Sequence, residues 1–224
     1  MLQTQIYPSS LILLLACLFP FHLYGWNSSD AEILLKKMEV AYARVNDYQA
    51  NMEVRTFGKD GSFETTKFSY TLKKPKKIRL DFESPYAGMI IVYPDQNGKA
   101  AIRRFFTFHL ALDNPLLQVS EGQRIDQTDL GLLITNIRHS LTDHRQGPLI
   151  VTEDDKNIRI RVMADDHFRE GVVTQYQFRI DKTLWLPVKV EESSPEGKFA
   201  RTIVFRNLRT NIDIPDNFFQ LNGR

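Results

Sequence analysis

Residues 63–106 read FETTKFSYTLKKPKKIRLDFESPYAGMIIVYPDQNGKAAIRRFF. Apolar and polar residues alternate through Phe68, Tyr70 and Leu72, and again through Ile78, Leu80 and Phe82. The alternation is cut by Lys73-Lys74-Pro75-Lys76-Lys77, by Ser84-Pro85-Tyr86-Ala87-Gly88 and by Pro94-Asp95-Gln96-Asn97-Gly98. Successive side chains of a strand point to opposite faces, so a period of two gives each strand one buried face, and the Pro/Gly/Asn clusters supply turns. The stretch is therefore a meander of antiparallel neighbours, closed by a strand expected over Lys99 to Phe106.

Upstream, Ser29-Asp30-Ala31-Glu32 has the form of a capping box, in which the Glu32 carboxylate reaches back to the helix start. Ala31, Leu34, Leu35, Met38, Ala41, Tyr42 and Val45 then share one helical stripe, ended by Asn46-Asp47. At Tyr48, Ala50, Met52 and Val54 the period changes to two, and Gly58-Lys59-Asp60-Gly61 forms the hairpin into the meander. Downstream, Phe108 to Gly122 has no clean period and is broken by Asp113-Asn114-Pro115, which suits a flap or short helix over the sheet. Leu130, Leu133, Ile134, Ile137 and Leu141 return to helical spacing and need an apolar surface to cover them. After a loop from Thr142 to Pro148, five more strands are expected between Leu149 and Leu208, and Ile214 to Phe219 forms an apolar plug for the sheet end. About ten strands with short connections must curl or close. The expected class is α+β: a strongly curved, unclosed antiparallel β-barrel with an N-terminal helix and a lid helix on its concave side.

The chain has 224 residues, 42% hydrophobic and 25% charged, ordinary globular proportions. Its 29 basic and 27 acidic residues leave a net charge of +2, which gives no electrostatic reason to expect nucleic acid. Residues 1–25 hold no charged side chain and an apolar run from Leu11 to Phe21, shorter than a spanning helix. They read as an export signal, followed by one domain over 26–224. A lipobox-like Leu14-Leu15-Ala16-Cys17 and an uncleaved anchor are the other readings of the leader. Cys17 is the only cysteine, so stability must come from packing rather than from a disulfide.

Chemistry is not announced. There is no His-Glu-x-x-His, Gly-x-Ser-x-Gly, P-loop or dinucleotide turn. His139, Asp143 and His144 could hold a metal if their loop folded back, but a helix end followed by a polar loop is the commoner meaning of such a run. Asp165-Asp166-His167 reads as a hairpin tip. Lys73, Lys74, Lys76 and Lys77 read as a solvated turn that blunts a sheet edge, the rival reading being a docking site for acidic groups. No enzyme, cofactor or metal is expected.

Several stretches resemble LolA-like proteins of the bacterial envelope: Tyr48-Gln49-Ala50, the run Lys74 to Phe82, Gly88 to Tyr93, Ile180 to Val190 with Trp185-Leu186-Pro187, Gly197, Ile203 to Leu208, and Asn211 to Pro215 with Phe218-Phe219. The likeness covers most of 28–222 and is closest to uncharacterised relatives of the lipoprotein carrier. It implies a half-barrel with helices as a lid and an apolar, non-catalytic cavity for acyl chains in the periplasm. One or two helices do not fill the concave side of so many strands, and apolar space left in a curled sheet suits an apolar ligand. The expected lining is Phe68, Tyr70, Leu72, Ile78, Leu80, Phe82, Leu130, Leu133, Ile134, Ile137, Tyr176, Phe178, Val188, Ile203 and Phe205. The expected partners are a lipid or an acylated lipoprotein and an inner- or outer-membrane protein, with the chain itself a monomer. A sensory or regulatory module of the same fold, binding a protein, is the alternative.

Overall fold

The structure, a computed structural model, describes residues 28–58, 60–120, 123–142 and 149–221. The leader with Cys17, and Asp143 and His144, lie outside them.

The order of elements is α1 (Ser28–Ala43), β1 (Asp47–Phe57), β2 (Phe63–Lys73), β3 (Lys77–Ser84), β4 (Ile90–Tyr93), β5 (Ala100–Arg103), β6 (Thr107–Leu110), β7 (Gln118–Ser120), β8 (Gln123–Arg124), α2 (Leu130–Thr142), β9 (Ile150–Glu153), β10 (Asn157–Asp165), β11 (Val173–Asp181), β12 (Leu186–Ser193) and β13 (Phe199–Thr210). Eleven strands form one antiparallel sheet in the order β6-β5-β4-β3-β2-β1-β13-β12-β11-β10-β9. The two meanders meet where β1 pairs with β13, Met52 opposite Phe205. The outermost strands β6 and β9 are not paired with each other, so the barrel is unclosed. β7 and β8 form a separate ribbon within a strap of residues 111–127, which also carries the short 3-10 helices Pro115–Leu117 and Ile125–Gln127.

Alternation is clear in β10 and β11, where Ile158, Ile160, Val162 and Ala164 are buried together with Tyr176, Phe178 and Ile180. These residues, Tyr48 to Met52 of β1, Ile78 and Leu80 of β3, and the stripes of α1 and α2 belong to one continuous core. A sheet this wide can share one core with only two helices if it curls around them. α1 buries Ala31, Leu34, Leu35 and Met38, and α2 buries Leu130, Ile134, Ile137 and Leu141, the stripes set by their helical spacing.

Four local expectations are corrected. The strand expected to run to Phe106 stops at Arg103, turns through Arg104-Phe105-Phe106 and returns as β6, making eleven strands rather than ten; the turn contains no Gly, Pro, Asn or Asp to signal it. Glu32 does not reach back to its helix start, because its carboxylate is held by Arg138 of α2 at 2.8 and 3.1 Å. The four lysines stay partly solvated but do more than blunt an edge. Lys73 and Lys77 both reach Asp216 at 2.7 Å, Lys74 donates to the Tyr42 carbonyl at 2.7 Å, and Lys76 lies 3.7 Å from buried Asp126. They tie the C-terminal segment, α1 and the strap to one hairpin. Finally, Ile214 and Phe219 pack on Val92 rather than at the sheet end; Ile91 belongs to the main core, so its neighbour Val92 faces the outer side.

Candidate functional site

At the start of α2 the concave side is packed and hydrogen-bonded. Tyr48 and Tyr70 face each other across β1 and β2 with ring centroids 5.7 Å apart. The Tyr48 hydroxyl oxygen accepts from the Leu130 amide at 3.1 Å, and the Tyr70 hydroxyl lies 3.1 Å from Thr128 Oγ1. Tyr42 donates to Asp129 at 3.3 Å, while Asp129 accepts from the Leu132 amide at 2.9 Å. An isolated helix start leaves unpaired amides; here two of the available donors are met by a buried phenol and a carboxylate. Burial raises the pKa of all three tyrosines, so each remains a neutral phenol. Gly131 is required here, because a Cβ would collide with the Tyr42 ring.

Further along the concave side the filling gives out. A cavity of about 80 Å³ lies between the sheet, α2 and the strap. Its apolar wall comes from Met52, Val54, Phe68, Tyr70, Leu80, Val190, Ile203 and Phe205 of the sheet and Leu133 of α2, and Tyr176 and Phe168 close one side. Gln123 and Gln127 of the strap, Thr128 and Asp129 between strap and α2, and Asn136 of α2 supply the polar lining.

One part of the cavity wall is polar and charged. Glu192 and Arg201 stand opposite each other on β12 and β13, both buried. Arg201 donates from Nη2 and Nε to the two Glu192 oxygens at 2.6 and 3.1 Å, and from Nη1 to Gln123 Oε1 at 3.2 Å. Gln123 in turn donates to the Gln127 carbonyl at 2.9 Å. The fork-to-fork geometry satisfies an otherwise costly buried charge pair and links strap to sheet. Glu192, Arg201 and Phe168 also line an outer cleft of about 600 Å³, walled by Thr56, Phe57, Arg169, Thr174, Lys198 and Phe199 among others.

His167 stands at the same polar wall. Its ring stacks on Tyr176 with centroids 4.3 Å apart, its Nε2 lies 2.8 Å from Ser140 Oγ, and it hydrogen-bonds the Asn136 backbone. Burial, with His139 and Arg201 nearby, lowers its pKa to about 4 against the pull of Asp166, so the imidazole is neutral at ordinary pH. Ser140 is buried, and the pair latches the β10–β11 turn to α2. Asp166 is held low by its bonds to Arg169, Phe168 and Thr174, after burial, which acts in the opposite direction. Among the described residues, no three His, Cys, Asp or Glu are grouped so as to hold a metal ion.

Seven of the residues expected to line a cavity do so: Phe68, Tyr70, Leu80, Leu133, Tyr176, Ile203 and Phe205. Leu72, Ile78, Leu130, Ile134, Ile137 and Phe178 are buried core instead, and Phe82 packs on Phe68 behind the lining. Val188 falls at a bulge between β11 and β12, where Arg179 pairs with Lys189 and Ile180 with Pro187, and it belongs to no core cluster. The polar wall went unforeseen. Its signal was present: Glu192 shares the parity of Val190, Arg201 that of Ile203 and Phe205, and the Gly197 hairpin sets the two opposite each other.

No family model matches the chain, and no curated protein does. Among solved structures it is similar to a DUF1329 family protein from Desulfovibrio piger, at 10% identity and a TM-score of 0.46 over 86% of this chain and 97% of that one. It is also similar to a LolA superfamily protein from Nitrosomonas europaea, at 14% and 0.40 over 85% and 97%. The MucB chain of the Pseudomonas aeruginosa MucA/MucB complex matches at 17% and 0.48 over 85% of this chain. Only 60% of that last chain is spanned. LolA-like structures are thus among those it resembles, and the likeness is one of fold.

Proposed function

We propose that the protein is an exported, non-catalytic binder that takes the acyl chain of a lipid or lipoprotein into the cavity between its concave face and the strap. The observation that carries this is an apolar-walled space that neither helix fills, sharing Phe168 and the Glu192–Arg201 pair with an open cleft. Each buried methylene is worth about 0.8 kcal/mol, before the cost of ordering the chain. At roughly 10–15 Å³ per water-sized group, the cavity has room for about six such groups, enough for the end of a chain. The remainder and the polar head would run past Phe168 and the Glu192–Arg201 pair into the cleft.

Opening by lifting α2 would expose Leu130, Ile134, Ile137 and Leu141, at a cost of about 6–12 kcal/mol for four large side chains. Among the described residues the strap buries fewer apolar side chains, chiefly Leu117 and Ile125, and is tied to the sheet through the Gln123–Arg201 bond and the Lys76–Asp126 pair. It is the cheaper flap. Native mass spectrometry of protein isolated from its own envelope tests the reading: a bound acyl lipid is expected. Protein that carries none and takes up no added fatty acid contradicts it.

A further inference from the structure

Strand polarity sorts the hairpin turns between two rims of the sheet. The β1–β2, β3–β4, β5–β6, β10–β11 and β12–β13 turns share one rim, and the β2–β3, β4–β5, β9–β10 and β11–β12 turns share the other. Among the described residues, every large apolar side chain exposed in or beside a hairpin turn lies at the first rim: Phe63, Tyr86, Phe105, Phe106, Phe108, Val172 and Phe199. The outer cleft opens at this rim too, since its walls come from the same turns. At the second rim the turns carry Lys74 to Lys76, Asp154 to Lys156 and Asp181 to Lys182.

The β5–β6 tip is the most exposed part of the first rim. Phe105 is 81% exposed, Phe106 69% and Phe108 55%, and the tip projects from the edge of the sheet. Phe106 and Phe108 meet edge to face at 5.9 Å, and the Arg104 guanidinium lies 5.3 Å from the Phe105 ring centre. A turn that only faced water would favour polar turn residues, and three bare rings there cost solubility. Rings beside a guanidinium match a bilayer interface, where the rings enter the acyl boundary and the cation meets lipid phosphate. A line of aromatic contacts also joins this rim to the cavity. Phe68 of the lining meets Phe82 at 5.3 Å, and Phe82 meets exposed Tyr86 at 6.1 Å.

We propose that this rim, led by Phe105, Phe106, Phe108 and Arg104, docks on the surface of an anionic phospholipid bilayer and sets the mouth of the cleft against the lipid. The docking stands on the exposed rings of the β5–β6 tip and the Arg104 charge beside them, the other turns of the rim carrying carboxylates such as Glu83, Glu170 and Glu196, so it can hold or fail separately from acyl binding.

The test is flotation of the purified full chain with vesicles of phosphatidylcholine, alone or mixed with phosphatidylglycerol. The protein should float with the mixed vesicles. The triple variant Phe105→Ser/Phe106→Ser/Phe108→Ser should lose at least about tenfold in bound fraction with its thermal midpoint little changed, since exposed side chains away from packed features add little to stability. Arg104→Glu should lose about fivefold or more on mixed vesicles and little on neutral ones, a charge near an anionic surface being worth about 1 kcal/mol. Phe106→Trp should blue-shift on vesicle addition and be quenched by brominated lipid, which reads tip insertion whatever the leader contributes. Uptake of a free fatty acid from vesicle-free solution should be unchanged in the triple variant, which separates docking from the cavity. Equal flotation of triple variant and parent, a Phe106→Trp signal blind to vesicles, or capture of an envelope protein by the rim without vesicle binding would each overturn the proposal.

Discussion

Two ends of the same concave surface are finished in opposite ways. Around the start of α2 and along its buried stripe the space is filled by Tyr48, Leu130, Ile134 and Ile137, every one of them nearly inaccessible, and the helix amides are met by a phenol and a carboxylate. Toward the aromatic rim the same strands surround a gap, and the polar groups bordering it are a paired arginine and glutamate and a neutral histidine. The strands do not change in character between the two ends; what changes is whether a helix covers them. A curled sheet with two short helices can be solid under their buried stripes and hollow beside them, and the hollow part then needs polar groups that are satisfied before any guest arrives.

The largest effect expected from breaking this contrast is at the polar wall. Arg201→Ala leaves the Glu192 carboxylate buried and unpaired, and should lower unfolding stability by about 3–5 kcal/mol in urea titrations. The double replacement Arg201→Met/Glu192→Leu removes both charges and should recover most of that loss. If the double variant is as unstable as the single, the pair is not the polar border described here.

At the filled end, Ile137→Ala should cost about 2–5 kcal/mol, as truncation in a packed core does. Leu133→Ala, on the same helix but facing the gap, should cost clearly less, because it enlarges a space that already exists. Equal losses at the two positions would mean that the gap is packed in solution. Gly131→Ala should cost about 1–3 kcal/mol through its collision with Tyr42, and Tyr42→Ala should relieve much of that cost.

pH separates the two ends as well. The folded pKa of His167 is about 4 and its unfolded value about 6.5, so the unfolded chain binds the proton first. His167 therefore contributes full stability above about pH 6.5 and loses it as the pH falls toward 4, by up to roughly 3 kcal/mol. His167→Gln should flatten that part of the stability profile. The tyrosine cluster stays neutral throughout this range and adds no slope.

Much of this architecture could be read in the residues because it rests on periodicity. The alternation in Phe68 to Leu72 and Ile158 to Ala164 and the stripe from Leu130 to Leu141 each follow from which face must be buried, and the structure buries those faces. The turn at Arg104-Phe105-Phe106 was illegible because a strand pattern continues straight through it, its residues being apolar where a turn usually carries Gly, Asn or Pro. The split between lining and core was illegible for a different reason. Phe68 and Leu72 share one strand face, and only what the rest of the fold lays over each position decides that Leu72 is covered while Phe68 borders a gap. The lysine cluster misled because its partners, Asp216, Asp126 and the Tyr42 carbonyl, are distant in sequence.

The claim beneath all of this is that the space bordered by Phe68, Val190, Ile203 and Leu133 accepts an acyl chain. A crystal of the protein grown with a saturated fatty acid brominated at its methyl end would test it most directly, through the anomalous signal of bromine. The account predicts one strong peak inside the cavity, with the carboxylate end toward Glu192 and Arg201. Bromine found only on the outer surface, or nowhere, with the lining side chains closed together, would contradict it.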